Sequence, residues 1–140
     1  MRSAFAGLWA LDGPDVAAVA AMATSQPDGF VLKPQREGGG NNIYGSAMAE
    51  RLSAPSPDLG AFILMQRIRP AVHPALFMRA GQVAARDSLT ELGIYSVWLS
   101  RGGAVLCNSV VGHLLRTKTA DSDEGGVAAG YAVLDSPRLV

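Results

Sequence analysis

Apolar positions along the chain follow two different periods, and the change of period separates helices from strands. Alanine-rich sequence runs from Pro14 to about Thr24, and proline is favourable at the first position of a helix, where its missing N–H needs no partner. A first helix is therefore predicted here. A second helix is predicted over residues 47–52, because Met48 and Leu52 fall on one face and Ser46 can cap its start.

Short apolar runs bounded by glycine, proline and polar residues predict the strands. The continuous run at residues 62–68 suggests a strand that is covered on both faces. Residues 92–99 and 104–111 flank an Arg-Gly-Gly sequence, which is a strong hairpin pattern. The remaining predicted strands are residues 30–32, 76–79, 83–88 and 113–118.

Hairpin-linked strands with helices near the start of the chain indicate an α+β fold rather than a doubly wound parallel sheet. The length of 140 residues and the hydrophobic content of 49% suit a single domain, residues 1–140. The glycine spacings of dinucleotide-binding and P-loop motifs are absent, since Lys33 precedes the glycines of its loop. Any phosphate would have to be held by a different geometry.

Charge and hydrophobicity narrow the classes of partner. The 12 basic and 12 acidic residues cancel, which argues against nucleic acid or an anionic membrane and favours small molecules or other proteins. The longest apolar stretch, residues 16–23, is well short of the roughly 20 residues of a transmembrane helix, and no signal peptide is evident. A cytoplasmic protein is expected. One cysteine and two histidines offer neither an internal disulfide nor a zinc cage.

The segment from Lys33 to Asn42 combines a cation, a carboxylate and three adjacent glycines. Each glycine would cost about 0.5–1 kcal/mol relative to alanine in a helix or strand, so the triplet indicates a loop whose backbone bends or closely approaches a ligand. Lys33 offers a point charge to a polyphosphate, Glu37 offers a hard oxygen to Mg²⁺, and Asn41 and Asn42 add neutral ligands or donors. A solvated hairpin loop is the alternative interpretation.

Five segments of the chain carry distinctive sequence: VLKPQREGGGNNIYG at 31–45, ILMQRI at 63–68, ELGIYSV at 91–97, GHLLRTK at 112–118 and EGGVAAGYAVLD at 124–135. They resemble the C-terminal segments of the eukaryotic-type glutathione synthetase family of ATP-grasp ligases, in that family's order. The resemblance begins near residue 5 and continues to the end of the chain. The implied fold is the C-terminal part of an ATP-grasp fold, with a largely antiparallel sheet, flanking helices and glycine-rich loops.

The resemblance also assigns ligand-binding positions, although it identifies no single catalytic residue. Glu37 is implied to ligate Mg²⁺, and residues 65–68 to read adenine largely through the backbone, with Gln66 where a glutamate is common. The implied ATP-binding residues are Lys33, Pro34, Gln35, Arg36, Glu37, Gly38, Gly39, Gly40, Asn41, Asn42, Tyr44, Met65, Gln66, Arg67, Ile68, Glu91, Lys118 and Glu124, and the implied substrate-binding residues are Arg116, Val127 and Ala128.

The residue types bear on four of these assigned positions. Arg116 and Lys118 are two apart in a predicted strand, so both should project from the same sheet face and present paired positive charge to one cleft. Glu91 is suited to accept from ribose hydroxyls, and Glu124 stands where the family often has aspartate. Without the resemblance, an exposed basic strand face and a surface glutamate would be the preferred interpretations.

The reaction implied by the resemblance is ATP-dependent ligation of γ-glutamylcysteine and glycine through an acyl phosphate, giving glutathione, ADP and phosphate. Val127 and Ala128 look like the loop of relatives that accept glycine rather than β-alanine. Such an intermediate needs protection from water, so the glycine-rich segments 33–45 and 120–130 are expected to close over the reactants and to be mobile without nucleotide. A homodimer is implied for the full-length enzyme.

The chain is much shorter than members of that family, which have further segments upstream. It is therefore expected to be a C-terminal ATP-grasp portion that is incomplete as a ligase, and a fragment and a truncated paralogue both stay open. Two other functions are considered. One is an ATP-grasp carboxylate–amine ligase with different substrates, and the other is a non-catalytic nucleotide-binding or interaction domain.

Overall fold

A computed structural model of the chain describes residues 2–36, 40–54 and 56–137, which form two compact units, Met1–Arg69 and Pro70–Val140. The helices are α1 (Val16–Ser25) and α2 (Gly45–Ser53), with 3₁₀ turns at Arg2–Ala4, Pro27–Gly29 and Leu59–Ala61. The strands are β1 (Leu8–Ala10), β2 (Phe30–Pro34), β3 (Ile43–Tyr44), β4 (Phe62–Gln66), β5 (His73–Arg79), β6 (Gln82–Arg101), β7 (Ala104–Thr119) and β8 (Ala132–Asp135). The predicted α+β class is confirmed.

The first unit contains an antiparallel sheet in the order β1-β4-β2-β3. Trp9, Leu64, Leu32 and Ile43 lie side by side in its register, one from each strand. Leu32 and Leu64 are fully buried, and all four side chains belong to or pack against one hydrophobic core. This row therefore marks the core face of the sheet.

Both helices pack on that core face. In α1 the side chains of Val16, Val19 and Ala23 contact the core, at the three- and four-residue spacing of one helical face. In α2 the predicted pair Met48 and Leu52 is buried in the same core.

The predicted cap at Ser46 is wrong, because α2 already begins at Gly45 and Tyr44 occupies the cap position without a side-chain bond. Gly45 has a φ of +54°, in the left-handed region that glycine adopts without steric cost. This conformation lets α2 follow β3 with no intervening residue.

Strand β4 lies in the middle of the first sheet, between β1 and β2. The predicted run of residues 62–68 is strand only as far as Gln66. Leu64 is buried in the core, whereas Met65 is half-buried on the opposite face, which the helices do not cover. The apolar run thus places side chains on both faces of the sheet, but the hydrophobic core lies on only one of them.

Arg51 ties the end of α2 to the turn that precedes β4. Its guanidinium lies 2.6 Å from the Asp58 carboxylate and 5.5 Å from the ring centre of Phe62. The pKa of the Asp58 carboxyl is lowered from its usual value of 3.8. The main cause is a hydrogen bond from the Ser56 hydroxyl, and the hydrogen bond from Arg51 contributes less.

The second unit contains an antiparallel sheet in the order β5-β6-β7-β8. Residues 83–88 and 92–99 were predicted as separate strands but belong to the single 20-residue strand β6. The predicted hairpin is confirmed, since Gly102 and Gly103 both have positive φ, as a two-residue type I′ turn requires. Among the residues described, no helix has the length and apolarity needed to cross a bilayer.

We predict that Leu32→Ala lowers the free energy of unfolding of the first unit by about 2–5 kcal/mol, because it leaves a cavity in the core between the sheet and the helices. Hydrogen exchange of the β2 and β4 amides in denaturant would measure this loss. The control Leu8→Ala removes the same atoms from a side chain that is 64% exposed and should change stability by less than about 0.5 kcal/mol. Equal losses in the two variants would contradict the assignment of the core face.

Candidate functional site

The sheet face opposite the helices in the first unit gathers three of the residues that the resemblance assigns to nucleotide. Leu8, Met65, Val31 and Tyr44 lie side by side in register, one residue away from the core row in each strand. Lys33 follows Val31 by two residues and so projects from the same face. Lys33, Tyr44 and Met65 thus share one surface, which the helices leave uncovered.

Arg67 adds a second cation to this face. Its guanidinium carbon lies 5.4 Å from the ring centre of Tyr44, a distance at which the positive charge is attracted by the π-face. The Arg67 amide donates to the Gly29 carbonyl at 2.8 Å, which fixes the chain as it leaves β4. Tyr44 and Arg67, far apart in sequence, therefore form one contact pair.

The segment that follows β4 uses its amides unequally. The amide of Gln66 donates to the Gly7 carbonyl at 2.8 Å, and the Gln66 side-chain oxygen accepts from the Gly7 amide at 3.0 Å. With the Arg67 amide also engaged, Ile68 is the position of this segment whose amide donates no hydrogen bond within the described part of the chain. A backbone donor is thus available where the resemblance places adenine recognition.

The side chain of Gln35 anchors the start of the glycine-rich loop. Its amide nitrogen donates to the Gly60 carbonyl at 3.0 Å, and its backbone N–H donates to the Ala61 carbonyl at 2.8 Å. The Arg36 amide then turns back to the Pro34 carbonyl at 2.8 Å. The loop therefore leaves β2 in a fixed direction, and Gln35 is held by the protein's own backbone.

Part of the loop lies outside the described residues, namely Glu37, Gly38 and Gly39. Their predicted roles in binding Mg²⁺ and phosphate stay predictions. Gly40, where the description resumes, has a φ of +80°, so this position requires the conformational freedom of glycine. In the ranges 2–36, 40–54 and 56–137 no three His, Cys, Asp or Glu side chains are grouped closely enough to hold a metal ion.

In the second unit, Arg116 and Lys118 lie on the same face of β7, as predicted. Glu91 is the cross-strand neighbour of Arg116, and its Oε1 accepts from the Arg116 Nη2 at 2.5 Å. The charge of Arg116 is therefore balanced by Glu91, an ion pair that the predicted placement of Arg116 and Lys118 on one face did not include. The residues assigned to peptide substrate and to nucleotide thus contact each other.

Lys118 fastens the second glycine-rich loop to β7. Its Nζ donates to the carbonyls of Ser122 and Asp123 at 2.6 and 3.0 Å. The Ser122 hydroxyl donates in turn to the Glu124 carbonyl at 3.0 Å. Glu124 is therefore positioned through two links from the ammonium group of Lys118.

The rest of this loop is formed by small residues that bond among themselves. The Gly130 amide donates to the Val127 carbonyl at 2.9 Å, and the Tyr131 amide donates to the Gly126 carbonyl at 3.0 Å. Val127 is half-buried and Ala128 is exposed. The two residues predicted to touch substrate thus lie in a turn with its own backbone bonds.

Two contacts of the site were not predicted from the sequence, the Tyr44–Arg67 pair and the Glu91–Arg116 pair. The second could be expected from the hairpin only if its bulges were known. Counting from the Gly102-Gly103 turn pairs Glu91 with Leu114, but two register shifts, after Tyr95 and after Leu99, move its partner to Arg116.

The chain is similar in sequence to known glutathione synthetases. The profile described as "Eukaryotic glutathione synthase, ATP binding domain" matches residues 1–139. The chain is 46% identical over 144 residues to chloroplastic glutathione synthetase of Solanum lycopersicum, covering 100% of this chain and 26% of that protein. It is 44% identical over 141 residues to glutathione synthetase of Homo sapiens, covering 98% of this chain and 30% of that protein.

A solved structure gives the same result for the fold. The glutathione synthetase-like effector GSS30 from Globodera pallida in its apo form matches with a TM-score of 0.66 and 27% identity, over 96% of this chain and 27% of that one. Together with the family match, this confirms the predicted ATP-grasp fold. The chain spans less than a third of the length of these relatives.

We predict a modest coupling between Glu91 and Arg116, of about 0.2–1 kcal/mol, because both side chains are partly exposed and water screens their attraction. A double-mutant cycle with Glu91→Gln and Arg116→Gln, followed by unfolding of the second unit, would measure it. The coupling should shrink in high salt. Arg101→Gln is the control, since Arg101 forms no ion pair among the described residues, and it should show no coupling to Glu91.

Proposed function

The chain belongs to the eukaryotic glutathione synthase family, and from this premise we propose that it forms the ATP-binding part of a ligase that joins γ-glutamylcysteine to glycine. The observation that carries this proposal is the shared surface of Lys33, Tyr44 and Met65 on the uncovered face of the first sheet. These residues were assigned to nucleotide independently of their position in the fold. The single domain proposed over residues 1–140 is the C-terminal ATP-grasp portion of such an enzyme.

In this proposal the phosphates of ATP are bound by the loop from Lys33 to Asn42. Lys33 supplies a positive charge, and the amides of the glycine triplet cap phosphate oxygens without a side chain in the way. A carboxylate at Glu37 and amide oxygens at Asn41 and Asn42 are the hard donors that Mg²⁺ prefers. The ion, when bound, neutralises charge on the phosphate oxygens, and we propose Glu37 as its ligand.

The base and the sugar of the nucleotide are assigned to different groups of the chain. We propose that adenine is read by the backbone of residues 65–68, with the Ile68 amide as a donor, and that Tyr44 also contacts the nucleotide. Glu91 is suited to accept hydrogen bonds from the ribose hydroxyls. Further nucleotide contacts are proposed for Pro34, Gln35, Arg36, Gln66, Arg67, Lys118 and Glu124.

The peptide substrate is assigned to Arg116, whose planar guanidinium suits a carboxylate, and to the loop residues Val127 and Ala128. The terminal carboxylate of γ-glutamylcysteine takes the γ-phosphoryl group of ATP, the glycine amine attacks the acyl phosphate, and phosphate leaves. The protein's part is to position the reactants, balance charge and exclude water. We propose that closure of segments 33–45 and 120–130 provides that exclusion, in a cytoplasmic homodimer.

A second candidate is a nucleotide-binding domain without ligase activity. It would keep the proposed nucleotide contacts of Lys33, Tyr44 and Met65 but would not turn over substrate. An ATP-grasp ligase with another amine acceptor would keep the nucleotide contacts but change the surroundings of Val127 and Ala128. Release of ADP from ATP in the presence of γ-glutamylcysteine separates the three functions when it is measured with glycine, with β-alanine and with no amine. The glutathione-forming ligase responds to glycine but not to β-alanine, a ligase with another acceptor does not respond to glycine, and a binding domain responds to neither.

We predict that Lys33→Met weakens binding of Mg-ATP at least about tenfold, because a charge-assisted hydrogen bond to phosphate is lost. Isothermal titration calorimetry measures the affinity. Arg101→Met is the control, because it removes an exposed cation from the turn end of β6. This variant should bind Mg-ATP with the affinity of the unchanged protein. Tight nucleotide binding by Lys33→Met would refute the phosphate role.

We predict that Arg116→Ala leaves the affinity for Mg-ATP within about twofold of that of the unchanged protein. The same variant should weaken binding of γ-glutamylcysteine at least about tenfold, since a charged hydrogen bond is worth roughly 1.5–3 kcal/mol. Both affinities are measured by calorimetry. Arg116→Lys keeps the charge and should show a smaller loss. If Arg116→Ala abolishes nucleotide binding but spares the peptide, the roles are assigned to the wrong ligands.

A further inference from the structure

A chain of side-chain hydrogen bonds crosses all four strands of the second sheet. Thr117 of β7 donates from its hydroxyl to Oδ2 of Asp135 in β8 at 2.9 Å. The Thr117 hydroxyl also lies 3.1 Å from that of Thr90 in β6, which in turn lies 3.0 Å from Nε2 of His73 in β5. None of these four residues belongs to the proposed ligand contacts.

The direction of this chain follows from its acceptor end. An ionised carboxylate only accepts, so the single proton of the Thr117 hydroxyl points to Asp135. Thr117 must then accept from Thr90, and Thr90 must accept from an N–H at Nε2 of His73. The Asp135 carboxylate also accepts from the Ser136 amide at 2.8 Å. All four strands are thus linked by bonds that run one way.

The middle of the chain is its most buried part. Thr117 is 1% exposed, so its hydroxyl has no access to water as a substitute partner. Its two neighbours in β7, Arg116 and Lys118, project from the opposite face and are only half-buried. The buried Thr117 side chain therefore lies on the face of β7 opposite the proposed ligand contacts Arg116 and Lys118.

Two adjacent residues of β7, Thr117 and Lys118, connect this strand to the second glycine-rich loop and to the strand that follows the loop. Lys118 bonds to the carbonyls of Ser122 and Asp123, near the start of the loop. Asp135 stands at the end of β8, the strand that the loop enters, and bonds to Thr117, the residue next to Lys118. Thr117 is thus bonded to the strand that follows the loop and is adjacent to the residue that bonds to the start of the loop.

We propose that Thr117 and Asp135 are positioning residues, which set the place of Lys118 and of the loop of residues 120–130. The affinity readout rests on the proposed function, since Lys118 and Glu124 are proposed nucleotide contacts. The loop readout does not, because it concerns only contacts within the chain.

Thr117→Val tests the proposal, because it keeps the side-chain shape and removes the hydroxyl. Hydrogen exchange at the Ser122, Gly130 and Tyr131 amides should accelerate about three- to tenfold, and Mg-ATP affinity should fall by a similar factor, as expected for one lost hydrogen bond. Thr117→Ser restores the hydroxyl and should return both readouts to those of the unchanged protein.

The matched control is Ser88→Ala. Ser88 is fully buried in the same sheet, and its hydroxyl donates to the His73 carbonyl at 2.7 Å without reaching β7. This variant should lower the melting temperature about as much as Thr117→Val, yet leave loop exchange and Mg-ATP affinity unchanged. If Ser88→Ala moves both readouts as far as Thr117→Val does, the chain only stabilises the sheet and the proposal is overturned.

Asp135→Ala covers the case in which Thr117→Val fails to fold, since Asp135 is exposed and its removal leaves no cavity. It should accelerate loop exchange by the same three- to tenfold factor. If the unchanged protein binds no Mg-ATP, the proposed function fails, and loop exchange alone decides the positioning role. Unchanged loop exchange in both Thr117→Val and Asp135→Ala would refute that role.

Discussion

The alternation of side chains along antiparallel strands is the constraint on which the rest of the molecule depends. In the first sheet Leu32 and Leu64 enter the core, so their neighbours Lys33 and Met65 must project from the opposite face. In the second sheet the buried Thr117 separates Arg116 from Lys118 in the same way. Each exposed position is thereby held next to a buried one, and packing on one face fixes the geometry of the other.

Local periodicity made the helices and the long hairpin predictable. The spacing of Met48 and Leu52 follows directly from the helical repeat, and two adjacent glycines with positive φ are the chemistry of a tight hairpin turn. The cap at Ser46 was predicted wrongly because Gly45 can adopt a conformation that sequence periodicity does not reveal. The short strands β1, β3 and β8 were not predicted, since two to four residues carry too little pattern.

The sequence proposed the candidate site residues one by one but not the pairs that they form. The resemblance supplied Glu91, Arg116, Tyr44 and Arg67 as separate ligand contacts, whereas the structure joins them into two pairs. Both pairings depend on tertiary register. For Glu91 the register is set by two bulges, and each shifts the partner by one residue, so the pair appears only when both are counted. No local propensity encodes that sum.

The Glu91–Arg116 pair bears on how an occupied site can keep its geometry. A guanidinium has five N–H donors in a fixed plane, and within the described residues one hydrogen bond from Arg116, at Nη2, goes to Glu91. Arg116 can therefore hold Glu91 and still present a donor edge to a carboxylate. The ion pair then orients the guanidinium before a ligand arrives, which reduces the side-chain entropy lost on binding. A lysine at this position would offer a point charge without that fixed plane. The register that places Glu91 opposite residue 116 can therefore orient an arginine side chain in a way that it could not orient a lysine.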